Sequence, residues 1–147
     1  MLKAILTVLL LLVPLQAFAQ EQIMLEAPSD QSTFLVEIGW TPADIGAENT
    51  FEIRFIEPET GKEVEDVVYD FAIAQAGNTV LERTDQTSNT QQVAFSVAGP
   101  YTIIVDNIDG LGEGASFPVQ VTPEFQVAWV LPGALASIFA LRKKLSR

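Results

Sequence analysis

Carboxylates are the side chains through which this chain could do chemistry. Nineteen Asp and Glu stand against eight Lys and Arg, with neither His nor Cys anywhere in the 147 residues. Without His there is no Ser-His-Asp relay, no imidazole-bound zinc or copper and no side chain that titrates near neutrality by default. Without Cys there is no thiolate nucleophile, thiolate metal site or disulfide framework. Carboxylates alone can still hold a hard cation or, as a pair, hydrolyse a glycoside. Asp106-Asn107-Ile108-Asp109-Gly110, with Glu113 beyond, sets several oxygen donors around one glycine-assisted turn and is the best calcium candidate. It lacks EF-hand spacing, and Asn, Asp and Gly are also what any strand-to-strand turn uses. Glu63, Glu65, Asp66 and Asp70 form a second group. On a strand, Glu63 and Glu65 share one face and Asp66 and Asp70 the other, a solvated arrangement that guards an edge against pairing with another chain. No catalytic, cofactor or metal residue is assigned. A glycosidase needs a sugar cleft, and a domain of about 100 residues offers little, since Trp40 and Trp129 are the only tryptophans and Trp129 lies in the tail. An enzyme is not expected.

The elements that would position these residues are strands. Phe34, Val36 and Ile38 alternate with Leu35 and Glu37; Phe51, Ile53 and Phe55 alternate with Glu52 and Arg54; Val67, Tyr69, Phe71 and Ile73 alternate with Val68, Asp70 and Ala72. Glu57-Pro58-Glu59-Thr60-Gly61-Lys62 reads as a polar turn, and Gln75-Ala76-Gly77-Asn78 as a hairpin loop before a strand from Thr79 to Arg83. Thr84 to Gln92 is polar and free of aromatics, hence a loop. Strands then follow at Val93-Ala94-Phe95, from Tyr101 to Ile108, and from Phe117 to Val121. About seven short alternating strands make an all-β, two-sheet antiparallel sandwich.

The two ends carry an address. Met1 to Ala19 has Lys3, an apolar core from Ala4 to Val13 and a small-x-small site at Ala17-Phe18-Ala19, the order of a secretory signal cut before Gln20. Residues 20–31 read as an exported linker and 32–122 as the sandwich ectodomain. Val127 to Leu141 is an uncharged stretch, marginal against the roughly 20 residues a bilayer span needs and interrupted by Pro132-Gly133. Arg142, Lys143, Lys144 and Arg147 behind it would stay on the cytoplasmic side, leaving the middle of the chain outside. A signal-peptide helix and a C-terminal hydrophobic helix are thus expected to flank the sandwich. Of the 19 acidic residues, 18 lie between residues 20 and 123, against Arg54, Lys62 and Arg83. So acidic a domain has no surface for nucleic acid or anionic headgroups.

Pro123-Glu124-Phe125, an apolar segment and a terminal basic cluster together resemble the C-terminal sorting signals of the PEFG-CTERM type, carried by exported proteins of ammonia-oxidising archaea. Gln126 stands where that family has Gly. The resemblance implies processing near the motif by an archaeosortase-like enzyme, after signal peptidase has acted at Ala17 and Ala19. Ala98-Gly99-Pro100-Tyr101, followed by the alternating Thr102 to Val105, resembles the tyrosine-corner region of immunoglobulin-like domains. The stretch from Phe51 through Tyr69-Asp70-Phe71 to Tyr101 looks like a small β-sandwich module of exported archaeal proteins, sometimes found beside blue-copper domains. This chain lacks the His and Cys a copper site would use.

The expectation is an exported immunoglobulin-like sandwich at the outer face of the membrane, with a structural or adhesion role toward an envelope partner the sequence does not name. The alternative is a cation- or ligand-binding surface module, accessory to an envelope redox or transport complex.

Overall fold

A computed structural model describes residues 21–123. Nine strands run in chain order among the described residues: β1 (Ile23–Pro28), β2 (Leu35–Thr41), β3 (Glu48–Ile56), β4 (Glu63–Val64), β5 (Tyr69–Gln75), β6 (Asn78–Gln86), β7 (Thr90–Ala94), β8 (Gly99–Asp106) and β9 (Ala115–Val121). A single 3₁₀ turn at Ile108–Gly110 is the only helical element among the described residues. Both helices expected at the chain ends lie outside them.

All pairings are antiparallel and fall into two sheets. β1, β2 and β3 form a meander, and the far edge of β3 is shared by β7, from Glu48↔Ala94 to Glu52↔Thr90, and β4, at Phe55↔Val64 and Ile56↔Glu63. The second sheet has the order β6-β5-β8-β9. Period-two alternation explains why the two sheets stack. Val36, Ile38 and Trp40, Phe51, Ile53 and Phe55, and Phe71, Ile73, Ile103 and Val105 are all buried in one core. Phe51 is the hub, stacked on Trp40 at 5.8 Å within its sheet and 6.2 Å from Phe71 across the gap. Such aromatic pairs add about 0.5–1.5 kcal/mol each beyond the area they bury.

The structure departs from the sequence reading in four places. Residues 20–31, expected to be linker, contain β1, whose six residues pair in full with β2. Thr84–Gln92, expected to be a loop, supplies the end of β6 and the start of β7, with only residues 87–89 between them. The strand expected to continue to Ile108 ends at Asp106, because Asn107 and Asp109 take left-handed backbone angles, φ 49° and 53°. Finally, Glu63 and Asp66 do not sit on one continuous strand. β4 is two residues long and Asp66 is left-handed at φ 58°, so the alternation assigned to the acidic group breaks there.

Strand directions give the sandwich two distinct poles. Ile23 and Thr122 line the same small cavity, together with Trp40 and Pro42, so the described chain enters and leaves at one pole. Loops 29–34, 57–62, 65–68 and 107–114 gather at the other.

Candidate interaction surface

The calcium candidate is dismantled by its own hydrogen bonds. Asp106 Oδ1 accepts from the amide of Asn107 at 2.8 Å, closing the turn locally. Glu113 points inward instead of joining it and is fully buried. Its Oε2 accepts from Ser29 Oγ at 2.5 Å, while Ser29 Oγ accepts from the amide of Phe34 at 3.0 Å. Backbone bonds knit the same region: Ile108 donates to the Glu113 carbonyl, Asp30 to that of Gly114, and Asp109 to that of Val68. A Cβ on Gly114 would lie 2.5 Å from the Val105 carbonyl oxygen, so only glycine lets this loop close against β8. Among the described residues, Glu113 Oε1 has no partner. Among the described residues, no three His, Cys, Asp or Glu converge to hold a metal.

The second acidic group is equally dispersed. Glu63 pairs with Arg54, which donates to its carboxylate from Nε at 3.0 Å and from an Nη at 2.9 Å, and Arg54 also reaches Glu37 at 3.1 Å. The Glu63 hydrogen bond and charge, with help from Glu37, raise the Arg54 pKa further above its usual value. Asp70 Oδ1 accepts from the amide of Asp85. Glu65 and Asp66 are exposed and line a groove of about 370 Å³ where β3 passes from β7 to β4.

Two tyrosines fasten the sandwich internally. Tyr101 Oη donates to the Val97 carbonyl at 2.9 Å, tying the crossover loop to the start of β8. Tyr69, almost wholly buried, donates to the Ser88 carbonyl and accepts from Gln91 Nε2 at 3.0 Å. Arg83 bonds Gln91 Oε1 at 2.7 Å and the Gln92 carbonyl at 2.9 Å, joining β6 of one sheet to β7 of the other. Burial pushes the Tyr69 hydroxyl above its ordinary pKa, partly offset by Gln91 and Arg83.

The two broad faces of the sandwich differ. Outward residues of the β1-β2-β3 sheet include Glu26, Glu37, Glu52 and Arg54. Outward residues of β5, β8 and β9 include the uncharged Ala72, Ala74, Thr102, Ile104, Ser116 and Pro118, around a shallow groove of about 650 Å³, with Asp70 and Asp106 paired at the loop-pole end of the same face. The loop pole carries exposed Asp30, Glu57, Glu59, Glu65, Asp66 and Asp109. The uncharged middle of the β5-β8-β9 face is the feature the sequence reading missed. Its signal was present as the complement of the buried alternation: once Phe71, Ile73, Ile103 and Val105 turn inward, their neighbours must turn out.

Of the sorting motif, Pro123 is the last described residue. Glu124, Phe125 and Gln126, with Ala17 and Ala19, lie outside the described residues. No protein-family model, curated protein or solved structure matches the chain.

Proposed function

We propose that this chain is an exported surface module, an immunoglobulin-like sandwich held or sorted at the outer face of the membrane through residues 123–147, whose role is structural or adhesive. The observation that carries the reading is the meeting of Ile23 and Thr122 at one pole, which is the pole a membrane tether would hold. The acidic loops then face away from the membrane, where like charge keeps the module soluble and apart from anionic headgroups. The immunoglobulin-like assignment draws support from the Tyr101 to Val97 bond and from the strand order. β2-β3-β7 faces β6-β5-β8-β9, with β1 added at the outer edge. The envelope partner is met by a surface and not by a catalytic cleft.

Lysine placement provides a test. Lys62 is the single lysine between residues 20 and 123, and it is exposed; Lys143 and Lys144 lie in the basic tail. A membrane-impermeant amine reagent applied to intact cells should modify Lys62 and spare any retained Lys143 and Lys144. Protection of Lys62 until the cells are opened would refute export.

A further inference from the structure

We propose that the pole where the chain enters and leaves is itself a membrane-docking surface, where the apolar loops on the β6-β5-β8-β9 side of the sandwich rest in the headgroup layer of the bilayer. Strand direction brings three segments together there. They are the β5-β6 hairpin at Ala76 and Gly77, the crossover loop from Phe95 to Ala98, and the end of β9 with Thr122 behind it. The three are contiguous. Val80 and Ser96 line one small cavity, Ala76 and Pro100 share the shallow groove with Gln120, and Gln120 lines a third cavity with Thr122 and Ile23.

Charge is absent from all three segments. No Asp, Glu, Lys or Arg stands between Asp70 and Glu82, between Asp85 and Asp106, or between Glu113 and Glu124. Apolar side chains take the surface instead, with Val97 50% exposed, Val80 55% and Ile23 41%. The fold uses Val97 through its carbonyl, which accepts from Tyr101, and leaves the residue half in water. Exposed apolar residues gathered in one place mark a surface that meets something. The carboxylates of this pole, Glu21, Asp44 and Glu48, belong to the other sheet's side, just before β1, in the β2-β3 connection and at the start of β3.

The chain beyond the pole identifies the occupant as lipid. Six residue steps separate Val121, the end of β9, from Val127, where the uncharged stretch to Leu141 begins, and they reach at most about 22 Å. A seven-residue strand is itself about 23 Å long. The docking rests on the tethered reading, in which that stretch enters the bilayer; so short a connection then keeps this pole, and not the acidic one, beside the headgroups. The headgroup layer is about 5–8 Å deep on each side, within the depth to which the apolar face of a surface-bound protein enters. With no base in the three segments the contact is apolar, and salt does not screen it. Repulsion of Asp44 and Glu48 from lipid phosphates tilts the module onto its uncharged side.

The absence of cysteine gives a clean test. The full chain, carrying Ser96→Cys in the crossover loop or Glu59→Cys at the far pole, is labelled with a fluorescent maleimide and reconstituted into phosphatidylcholine vesicles containing nitroxide-labelled phosphatidylcholine. Flotation with the vesicles reads the tether, and quenching reads the docking. Quenching should be at least about threefold greater at Ser96→Cys than at Glu59→Cys, because nitroxides in the bilayer reach only groups at headgroup depth. It should persist as NaCl rises from about 0.1 to 1 M, and Val97→Asp added to Ser96→Cys should abolish most of it. Floating chains quenched equally at both positions would overturn the docking and leave the tether standing. So would quenching that survives Val97→Asp, or a shielded Ser96→Cys label that the nitroxides do not reach, which would mean that another part of the chain covers the pole. A chain that does not float would overturn the tethered reading and the docking with it.

Discussion

At the scale of single residues, the strongest commitments are polar groups buried in the service of the fold. Ser29 Oγ relays between the Phe34 amide and the Glu113 carboxylate. Ser29→Ala should cost about 1–3 kcal/mol, because it leaves both groups buried without that partner, and urea unfolding midpoints would show it. Glu113 is also where the sequence misled. A Glu near an Asp-Asn-Ile-Asp-Gly turn reads as a surface ligand, since nothing local reveals that the loop packs against residues 29–34, some 80 positions earlier in the chain. Tyr69 gives a prediction in pH. Its pKa in the folded chain is raised, so the unfolded chain ionises first as pH rises. The contribution of Tyr69 is complete below about pH 10 and is lost as pH climbs through the folded value. Tyr69→Phe should be less stable by about 1–3 kcal/mol at neutral pH, having lost its bonds to Ser88 and Gln91, yet decline less steeply above pH 10. Stability measured from pH 7 to 11 checks both halves.

Elements were legible where one face of a strand is apolar. β2, β3, β5, β8 and β9 each alternate buried with exposed or half-buried residues along most of their length, and each showed in the sequence. β1 did not, because an edge strand buries little: only Leu25 and Ala27 are even half-buried. The first half of β7 was hidden for another reason, since its inward residue at Gln91 is polar and satisfied by Tyr69 and Arg83. The hairpin between β5 and β6 was correctly placed, and it carries a strain that sequence alone does not show. Gln75 pairs with Asn78 around Ala76 and Gly77, both at positive φ, 49° and 79°. Such two-residue turns favour Asn-Gly, and an alanine there is held in a region that disfavours its Cβ. Ala76→Asn should stabilise the protein by about 1 kcal/mol, seen as a higher thermal midpoint; no gain, or a loss, would mean the turn tolerates alanine without strain.

For the whole molecule, the organising fact is polarity: a pole where the chain enters and leaves, an opposite pole rich in carboxylates, and one broad face whose middle is uncharged. Eighteen acidic residues against three basic ones imply self-repulsion that salt should relieve. Raising NaCl from 0.01 to 1 M should lift the thermal midpoint, and relief of about 1 kcal/mol corresponds to roughly 4–8 °C for a domain of this size. A fall would mean that ion pairs such as Arg54 with Glu37 and Glu63 outweigh the repulsion. The central claim, export with the domain held by one pole, is tested most directly by reading both termini of the native protein with mass spectrometry, in membrane and shed fractions. The account predicts a chain that begins at Gln20. It should end near Pro123-Glu124-Phe125 if the tail is processed, or keep Arg147 in the membrane fraction if the tail is a lasting anchor. A chain that still begins at Met1 and is found in the cell interior would contradict it.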